Sequence, residues 1–323
     1  MIVVTGGAGF IGSAIVHELN RRRITNILIV DQNNHMEKEK NLAGLEFANF
    51  LDKHTFLQNV VNRKLPPIKM IFHMGACSST TETNADYLRE NNFEYTKELA
   101  LFCVENNVRF IYASSGATYG NGDKGYDDEE LSISSLNPLN LYGESKHRFD
   151  LWAKEQNLFD QIVGLKYFNV YGPNEYHKEN MQSLVRKGFL QINETGKLKL
   201  FKSYRPECGD GEQSRDFVYV RDVVAMTLHF MDHSSVSGLY NVGSGLARTW
   251  NDLAKALFTA MGRKTDIEYI DIPEPIRDQY QYYTCARMTK IREVGFDGTM
   301  TSLEEGVIDY VHKYLIPSKR LGN

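Results

Sequence analysis

The chain lacks the features that mark membrane, secreted and nucleic-acid-binding proteins. No run of about 18 apolar residues occurs, so we expect no membrane span. No basic and apolar leader precedes the first apolar strand, so we expect no secretory signal. The net charge is only −4 over 323 residues, which provides no basic surface for nucleic acid. These absences favour a cytoplasmic protein that acts on small molecules.

Cysteine is scarce as well. The four cysteines lie far apart and none forms a C-x-x-C pair, which predicts reduced thiols rather than a disulfide framework or a zinc site. We therefore predict no metal centre. Hydrophobic residues make up 42% and charged residues 24%, ordinary values for a globular protein with one large domain or two packed domains.

Short apolar runs alternate with helical patterns through the first half of the chain. The run Ile2–Thr5 precedes a helical pattern that starts near Phe10, and a second apolar run ends at Asp31. This alternation predicts an α/β fold, a Rossmann-type doubly wound parallel sheet with helices on both faces. We predict a dinucleotide-binding domain over 1–173 and a smaller mixed α/β substrate lobe over 174–323, some of whose elements return to the first domain.

A glycine motif follows the first strand and consists of Gly6-Gly7-Ala8-Gly9-Phe10-Ile11-Gly12. Glycines allow a tight turn and a close approach of the backbone to a pyrophosphate, which the helix N-terminus then attracts. Glycines also mark plain turns, but here an acid, Asp31, closes the next strand about 20 residues later, as a dinucleotide fingerprint requires.

The residues alone leave two cofactors open. Asp31 is the expected ribose ligand and favours NAD, and Gln32 follows it where an arginine would favour NADP. Lys38 and Lys53 are candidates for contact with a 2′-phosphate, although surface lysines are usually only solvated.

Tyr142 and Lys146 are four residues apart, so a helix would place them on one face. We expect the ammonium of Lys146 and an oxidised nicotinamide to lower the pKa of the Tyr142 phenol, which then exchanges a proton during hydride transfer. Ser115 ends a predicted strand, where α/β proteins bind ligands, and is placed to hold the same substrate oxygen.

Beyond these residues, the whole chain resembles the extended short-chain dehydrogenase/reductases that act on nucleotide sugars. The resemblance is carried by the glycine motif, by Tyr142-x-x-x-Lys146, by Asn169-Val170-Tyr171-Gly172-Pro173 and by Arg215-Asp216-Phe217-Val218-Tyr219. Within that branch, Gly75-Ala76-Cys77-Ser78 and His177-Lys178 are most similar to the ADP-L-glycero-D-manno-heptose 6-epimerases.

This resemblance implies tightly bound NADP, with NAD as the alternative, an ADP-heptose substrate of lipopolysaccharide precursor supply, and a cytoplasmic homo-oligomer, a pentamer in that subfamily. It implies catalytic roles for Tyr142, Lys146, Ser115 and Lys178, the last as a second acid/base. The implied cofactor residues are Gly6, Gly9, Phe10, Ile11, Gly12, Asp31, Gln32, Lys38, Lys53, Met74, Gly75, Ala76, Cys77, Ser78, Asn91, Lys146, Val170 and Lys178. The implied substrate residues are Ser115, Asn169, Asn180, Lys187, Phe201, Lys202, Ser203, Tyr204, Arg215 and Tyr280.

Several alternatives remain at this point. Lys178 is otherwise a loop lysine that contacts phosphate or solvent, and Arg215 is otherwise paired with Asp216 or Asp222. Lys187 and Asn180 depart from the subfamily pattern, as do Gly116 and the loop over 201–204, which leaves the exact substrate open. The rival functions are another nucleotide-sugar enzyme, such as a UDP-hexose 4-epimerase, and a non-catalytic dinucleotide-binding scaffold or redox sensor.

Overall fold

The computed structural model describes residues 1–32, 36–277 and 280–323. Its main feature is a seven-stranded, wholly parallel sheet. The strands of the main sheet and of two smaller sheets are, in chain order, β1 (Ile2–Thr5), β2 (Ile27–Asp31), β3 (Asn49–Asp52), β4 (Met70–His73), β5 (Arg109–Ser115), β6 (Val163–Tyr167), β7 (Asn169–Tyr171), β8 (Leu198–Phe201), β9 (Ser214–Tyr219), β10 (Gly238–Val242), β11 (Ala247–Thr249) and β12 (Ile267–Ile270). The order in the main sheet is β10-β6-β5-β4-β1-β2-β3, which confirms the predicted doubly wound fold.

Helices cover both faces of this sheet. They are α1 (Phe10–Arg21), α2 (Met36–Glu39), α3 (Lys53–Val61), α4 (Ala85–Leu88), α5 (Tyr95–Glu105), α6 (Leu141–Glu155), α7 (Leu184–Thr195), α8 (Val220–Asp232), α9 (Trp250–Ala260), α10 (Glu274–Arg277), α11 (Thr289–Glu293) and α12 (Leu303–Tyr310). A π-helical turn, Arg89–Glu94, joins α4 to α5, and a short 3-10 segment, Tyr176–Met181, precedes α7.

Two apolar cores result from the alternation of side chains along each strand. In β1, Ile2 and Val4 belong to the core that includes α1 and α8, whereas Val3 belongs to the core that includes α3, α5 and α6. Successive strand residues point to opposite faces, so a strand covered on both sides must be apolar throughout. This requirement explains the uninterrupted apolar runs of the sequence.

The second half of the chain is not spatially separate from the first. The run Gly238–Val242 pairs in parallel with β6 at the edge of the main sheet. Smaller sheets form beside it, with the order β11-β9-β7 in one and β12-β8 in the other. The pattern of 238–242 could not distinguish these arrangements, because the partner of a strand depends on tertiary contacts.

Local capping signals are consistent with the sequence. Thr249 caps α9 in a capping box with Asp252, as its position suggested. Asn140 caps α6 by accepting a hydrogen bond from the Gly143 backbone N–H. The second cap starts the helix that carries Tyr142, and it therefore sets where that side chain lies.

Two features are absent from the described residues. None of their helices is long and apolar enough to cross a membrane. Nowhere in 1–32, 36–277 or 280–323 do three or more His, Cys, Asp or Glu side chains gather as metal ligands would.

Candidate active site

The main cleft, about 460 Å³ in volume, opens at the carboxyl ends of β1 and β4. These strands are neighbours at the point where the strand order reverses, which is where doubly wound sheets bind ligands. The glycine motif forms its floor. Gly6 has a φ of +64°, and a Cβ on Gly12 would lie 2.1 Å from the Gly6 carbonyl oxygen. Only glycine fits at these two positions, so the first turn of α1 lies directly against the loop.

The N-terminus of α1 faces this cleft. Gly9 precedes the helix and has no side chain with which to cap it, and no acidic residue lies in its first turn. The free N–H groups and the positive end of the helix dipole therefore favour an anion such as a pyrophosphate.

Asp31 and two lysines lie at one end of the cleft. Asp31 is buried and accepts hydrogen bonds from the backbone N–H groups of Ala8 (3.0 Å) and Gln32 (2.8 Å). Lys38 forms an ion pair with it at 3.0 Å. Lys53 instead donates to Asn91 Oδ1 at 2.6 Å, and burial lowers its pKa. Two lysines thus lie near the Asp31 carboxylate.

Tyr142 and Lys146 lie on α6, as predicted, and line the same cleft as Ser115. Lys146 is only 4% exposed and donates to the carbonyl of Ala113 at 2.8 Å. Burial lowers the pKa of Lys146 to about 8, so it remains mostly protonated at pH 7.

The lowering of the Tyr142 pKa expected from the sequence involves an oxidised nicotinamide together with Lys146, and the protein alone does not show it. Burial raises the pKa of Tyr142, and only a hydrogen bond with Ser115 opposes this shift. Activation of the phenol in this geometry therefore depends on a further positive charge in the cleft.

A buried ion pair behind these residues was not predicted. Asp150, one turn beyond Lys146, pairs with Lys166 of β6 at 3.1 Å, and both side chains are 0% exposed. Asp150 also accepts from the hydroxyls of Tyr112 (2.8 Å) and Ser114 (2.7 Å). The pair joins α6 to β6, and the two hydroxyls join Asp150 to β5 next to Ser115. The sequence signal that could have revealed Asp150 is the spacing of 142, 146 and 150, because residues four apart share a helix face.

Lys178 lies in the 3-10 segment and lines the cleft with Tyr142. Its Nζ is 5.5 Å from the centre of the Phe10 ring, at the start of α1. Burial lowers the pKa of Lys178, and Glu175 opposes this shift. Glu179, the next residue, has a φ of +45°, an unusual value for a residue other than glycine.

All the predicted catalytic and cofactor residues line this one cleft. Sequence reasoning missed other lining residues, because apolar or small polar side chains give no motif. These are Thr5, Val30, Ser79, Tyr87, Tyr95, Ala113, Ser114, Tyr167, Phe168, His177 and Met181. Asn91 reaches the cleft from the π-helical turn, a distortion that is frequent at functional sites.

Of the predicted substrate residues, three form a separate cluster. Arg215 is 5% exposed, and its guanidinium lies 5.2 Å from the Tyr280 ring and 5.6 Å from the Trp250 ring. Phe201 packs edge-on against Tyr280 at 5.8 Å. The arginine donates to the main-chain carbonyls of Ser214 and Gln281.

The ion pair suggested as an alternative for Arg215 does not occur with either candidate. Asp216 accepts from Ser244 and from the backbone N–H groups of Gly245 and Ala286. Asp222 accepts from Thr301. Neither carboxylate lies within 4.0 Å of the guanidinium, so the positive charge of Arg215 remains available to an anionic ligand.

Apart from Ser115, the other predicted substrate residues do not line the main cleft. Lys202 and Tyr204 both contact the exposed carboxylate of Asp271, at 3.3 and 3.1 Å. Ser203 donates its N–H to Asp210. Lys187 is exposed and donates to the carbonyl of Asn180 at 3.3 Å. Asn169, although exposed, lies in β7 between two residues that line the cleft, Phe168 and Val170.

His73 and Cys77 have the environments of packing residues rather than of catalytic groups. His73 is buried, its ring nitrogens lie 2.6 Å from the Thr5 hydroxyl and 2.9 Å from the Thr96 hydroxyl, and burial lowers its pKa to about 3. It is therefore a neutral core histidine. Cys77 lines the cleft, but burial raises its pKa, so its thiol is not activated as a nucleophile.

The model of the NAD dependent epimerase/dehydratase family matches residues 2–243, and the chain belongs to this family. The resemblance drawn from the sequence is thereby confirmed, and the family description makes a nicotinamide dinucleotide its cofactor class. Among individual relatives, the chain is 48% identical to the ADP-L-glycero-D-manno-heptose-6-epimerase of Nitratidesulfovibrio vulgaris, over 98% of both chains. It is 47% identical to the enzyme of that name from Fusobacterium nucleatum, also over 98% of both. The crystal structure of Helicobacter pylori ADP-L-glycero-D-manno-heptose-6-epimerase matches with a TM-score of 0.80 and 30% identity, over 96% of this chain and 94% of that one.

Proposed function

We propose that this chain is an ADP-heptose 6-epimerase, which interconverts ADP-D-glycero-β-D-manno-heptose and ADP-L-glycero-β-D-manno-heptose. The observation that carries the proposal is that a single cleft joins the glycine motif, the pair Tyr142 and Lys146, and a second candidate acid/base, Lys178. The near full-length relatives that bear this enzyme name support the choice of substrate.

Tyr142 handles the proton on one face of the sugar carbon. The C6 hydroxyl gives its proton to the Tyr142 phenolate. At the same time the hydrogen bonded to C6 leaves as hydride, and C6 becomes a ketone carbon. A nicotinamide dinucleotide held by the glycine motif and Lys146 would supply the hydride acceptor and donor, and its positive charge when oxidised would stabilise the phenolate. Ser115 holds the same oxygen, and Lys146 adds positive charge behind it. The phenol needs this help because burial alone raises its pKa.

Lys178 handles the proton on the opposite face. An epimerase must return hydride to the other side of the ketone, so the sugar oxygen then points away from the first acid. A protonated Lys178 donates to that oxygen as the alcohol forms, and in the reverse direction the neutral amine is the base. Burial lowers the pKa of Lys178, which brings it closer to the range where both forms are accessible.

Arg215 binds the diphosphate of the substrate. Its guanidinium is buried, carries no carboxylate partner from Asp216 or Asp222, and stacks on Tyr280 and Trp250. A planar guanidinium matches phosphate oxygens well, and stacking keeps it oriented. Phe201 and Tyr280 supply apolar walls, while Asn169, Asn180, Lys187, Lys202, Ser203 and Tyr204 remain proposed contacts of the nucleotide sugar.

For the cofactor we propose NADP in preference to NAD. Asp31, which would hold the ribose of NAD, is already paired with Lys38. Lys53 lies nearby, and its charge is held by an amide oxygen rather than by a carboxylate. A 2′-phosphate would supply the missing negative charge. Competitive titration should show tighter binding of NADP, and equal or tighter binding of NAD would overturn this preference.

We also propose a homo-oligomer, a pentamer as in the resembled subfamily, in the cytoplasm, where activated sugars are made. Light scattering should give a multiple of the monomer mass of 37.0 kDa. A mass equal to that of the monomer at working concentration would refute this part of the proposal.

The decisive experiment incubates purified protein with ADP-D-glycero-β-D-manno-heptose and, separately, with UDP-glucose. NMR should show the change of configuration at C6 of the heptose, without added cofactor, and no change at C4 of the glucose. Turnover of UDP-glucose alone would favour the 4-epimerase. Bound dinucleotide with no turnover of either substrate would favour a scaffold or redox sensor.

A further inference from the structure

Asn41 is a fully buried amide that connects three distant parts of the chain. Its Nδ2 donates to the carbonyl of Ala8 (3.1 Å) in the glycine motif and to the carbonyl of Asn174 (3.0 Å), and it lies 3.3 Å from His177 Nδ1. Its Oδ1 accepts from Arg320 Nε at 3.2 Å. An amide nitrogen carries two N–H donors and its oxygen accepts, so this orientation satisfies both carbonyls and the Arg320 guanidinium.

Arg320 extends these connections. Its Nη2 donates to Glu37 at 2.5 Å, while its guanidinium lies over the Tyr176 ring at 4.8 Å. The Tyr176 hydroxyl in turn donates to the carbonyl of Lys319 at 2.9 Å. One planar cation thus contacts α2, Asn41 and the start of the 3-10 segment together, which a point charge could not do.

The segments that meet here flank two residues of the candidate active site. Glu37 is adjacent to Lys38, the partner of Asp31, and Tyr176 lies two residues before Lys178. Asn174 further anchors the 3-10 segment by donating to the hydroxyl of Ser13 on α1, at 2.9 Å.

Lys178 depends on such anchoring. Within the described ranges no carboxylate lies within 4.0 Å of its Nζ, which contacts the face of Phe10 instead. The adjacent Glu179 has a left-handed φ of +45°, a conformation that persists only where the surroundings impose it. The preceding residues Asn174 and Tyr176 are the ones that meet Asn41 and Arg320, so these contacts hold the backbone that leads to Lys178.

We propose that Asn41 and Arg320 form a clasp whose function is to position Lys178 over the cofactor cleft. This inference rests on the proposed function, in which Lys178 is the second acid/base. Neither clasp residue touches the reacting atoms, so both are positioning residues. The clasp also ties Lys178 to α2, so that the segment beside Lys38 and the catalytic amine move together.

The test compares Arg320→Met with Lys319→Met. Both remove one positive charge from neighbouring positions, but the Lys319 side chain is exposed and the clasp uses only its carbonyl. Arg320→Met should lower kcat by roughly tenfold or more, the scale expected when a catalytic group is slightly misplaced, and should leave KM nearly unchanged. Arg320→Lys, which keeps the charge opposite Glu37, should restore part of kcat. Lys319→Met should resemble the wild type.

Two further readouts separate positioning from general destabilisation. Single-turnover formation of reduced cofactor in Arg320→Met should fall mainly for the C6 configuration that Lys178→Met also impairs. Equal loss for both configurations, or kcat equal to that of Lys319→Met, would overturn the proposal. Asn41→Leu serves as a second variant, and if it folds it should show the same asymmetry.

Hydrogen exchange distinguishes failure of the clasp from failure of the proposed function. In Arg320→Met, peptides that cover 36–42 and 174–181 should exchange faster, whereas Lys319→Met should leave them unchanged. Unchanged exchange in Arg320→Met would refute the clasp, whatever the substrate. Suppose instead that Arg320→Met exchanges faster but the wild type does not epimerise ADP-heptose. The clasp would then be a structural anchor only, and both its role in positioning Lys178 for catalysis and the proposed function would be refuted.

Discussion

Replacing Asp150 with Asn should destabilise the protein far more than removing any exposed ion pair. The carboxylate and its partner Lys166 are both 0% exposed. The substitution keeps the size of the side chain but leaves the ammonium without a carboxylate, so that its partners are neutral: an amide oxygen, the Thr118 hydroxyl (2.6 Å) and the Tyr119 ring (4.8 Å). Burial already lowers the pKa of Lys166, and the Asp150 carboxylate opposes that shift.

The expected cost follows from the burial of the pair. Breaking a buried pair by removing one partner costs about 3–5 kcal/mol, because the remaining charge is left uncompensated. An exposed pair contributes about 0–1 kcal/mol. Asp232 provides the matched control, since its pair with Arg22 is shorter, at 2.8 Å, but lies at the surface. Asp232→Asn should therefore cost less than about 1 kcal/mol.

Denaturant unfolding at pH 7 measures both changes in the free energy of unfolding. The double variant Asp150→Asn with Lys166→Met should lose less than the sum of the two single variants, because it removes the unpaired charge. A cost for Asp150→Asn no greater than that for Asp232→Asn would refute the reasoning. So would strict additivity in the double variant.

Three further predictions concern the cleft and its core. Tyr142→Phe and Lys178→Met should each slow epimerisation by roughly a hundredfold or more, and single-turnover cofactor reduction should fall mainly for opposite C6 configurations; equal losses would contradict separate faces. Gly12→Ala places a Cβ 2.1 Å from a carbonyl oxygen and should abolish cofactor retention through purification, whereas Gly116→Ala, with contacts of 3.4 Å, should keep it. The pKa of His73 falls from 6.5 to about 3 on folding, so the neutral histidine contributes fully to stability above pH 6.5 and its contribution declines by about 2 kcal/mol between pH 7 and pH 5. The difference in unfolding free energy between the wild type and His73→Gln should therefore narrow by that amount over the same pH range. A difference that stays constant with pH would refute this.

The parts of the site that could be predicted are those encoded locally. The glycine motif, Asp31 and the pair Tyr142 and Lys146 each lie within one turn or at one strand end, so their geometry follows from the local element. The apolar runs predicted the main sheet for the same reason. The position of 238–242 in the main sheet could not be predicted, because it depends on pairing with β6.

The parts that could not be predicted depend on long-range packing. Asp150 meets Lys166 only because β5 and β6 pair with Ser114 opposite Lys166. Asn41 and Arg320 are 279 residues apart, and neither belongs to a motif. The expected lowering of the Tyr142 pKa depends on an oxidised nicotinamide as well as on Lys146, and in the protein alone burial raises that pKa.

The central claim is that hydride leaves and returns to the same carbon of an ADP-heptose within one active site. The most direct test supplies ADP-D-glycero-β-D-manno-heptose with deuterium at C6, in ordinary water and without added cofactor. The account predicts that NMR will show conversion to the L-glycero epimer with the deuterium retained at C6. Loss of the deuterium to solvent, or conversion only in proportion to added cofactor, would contradict it.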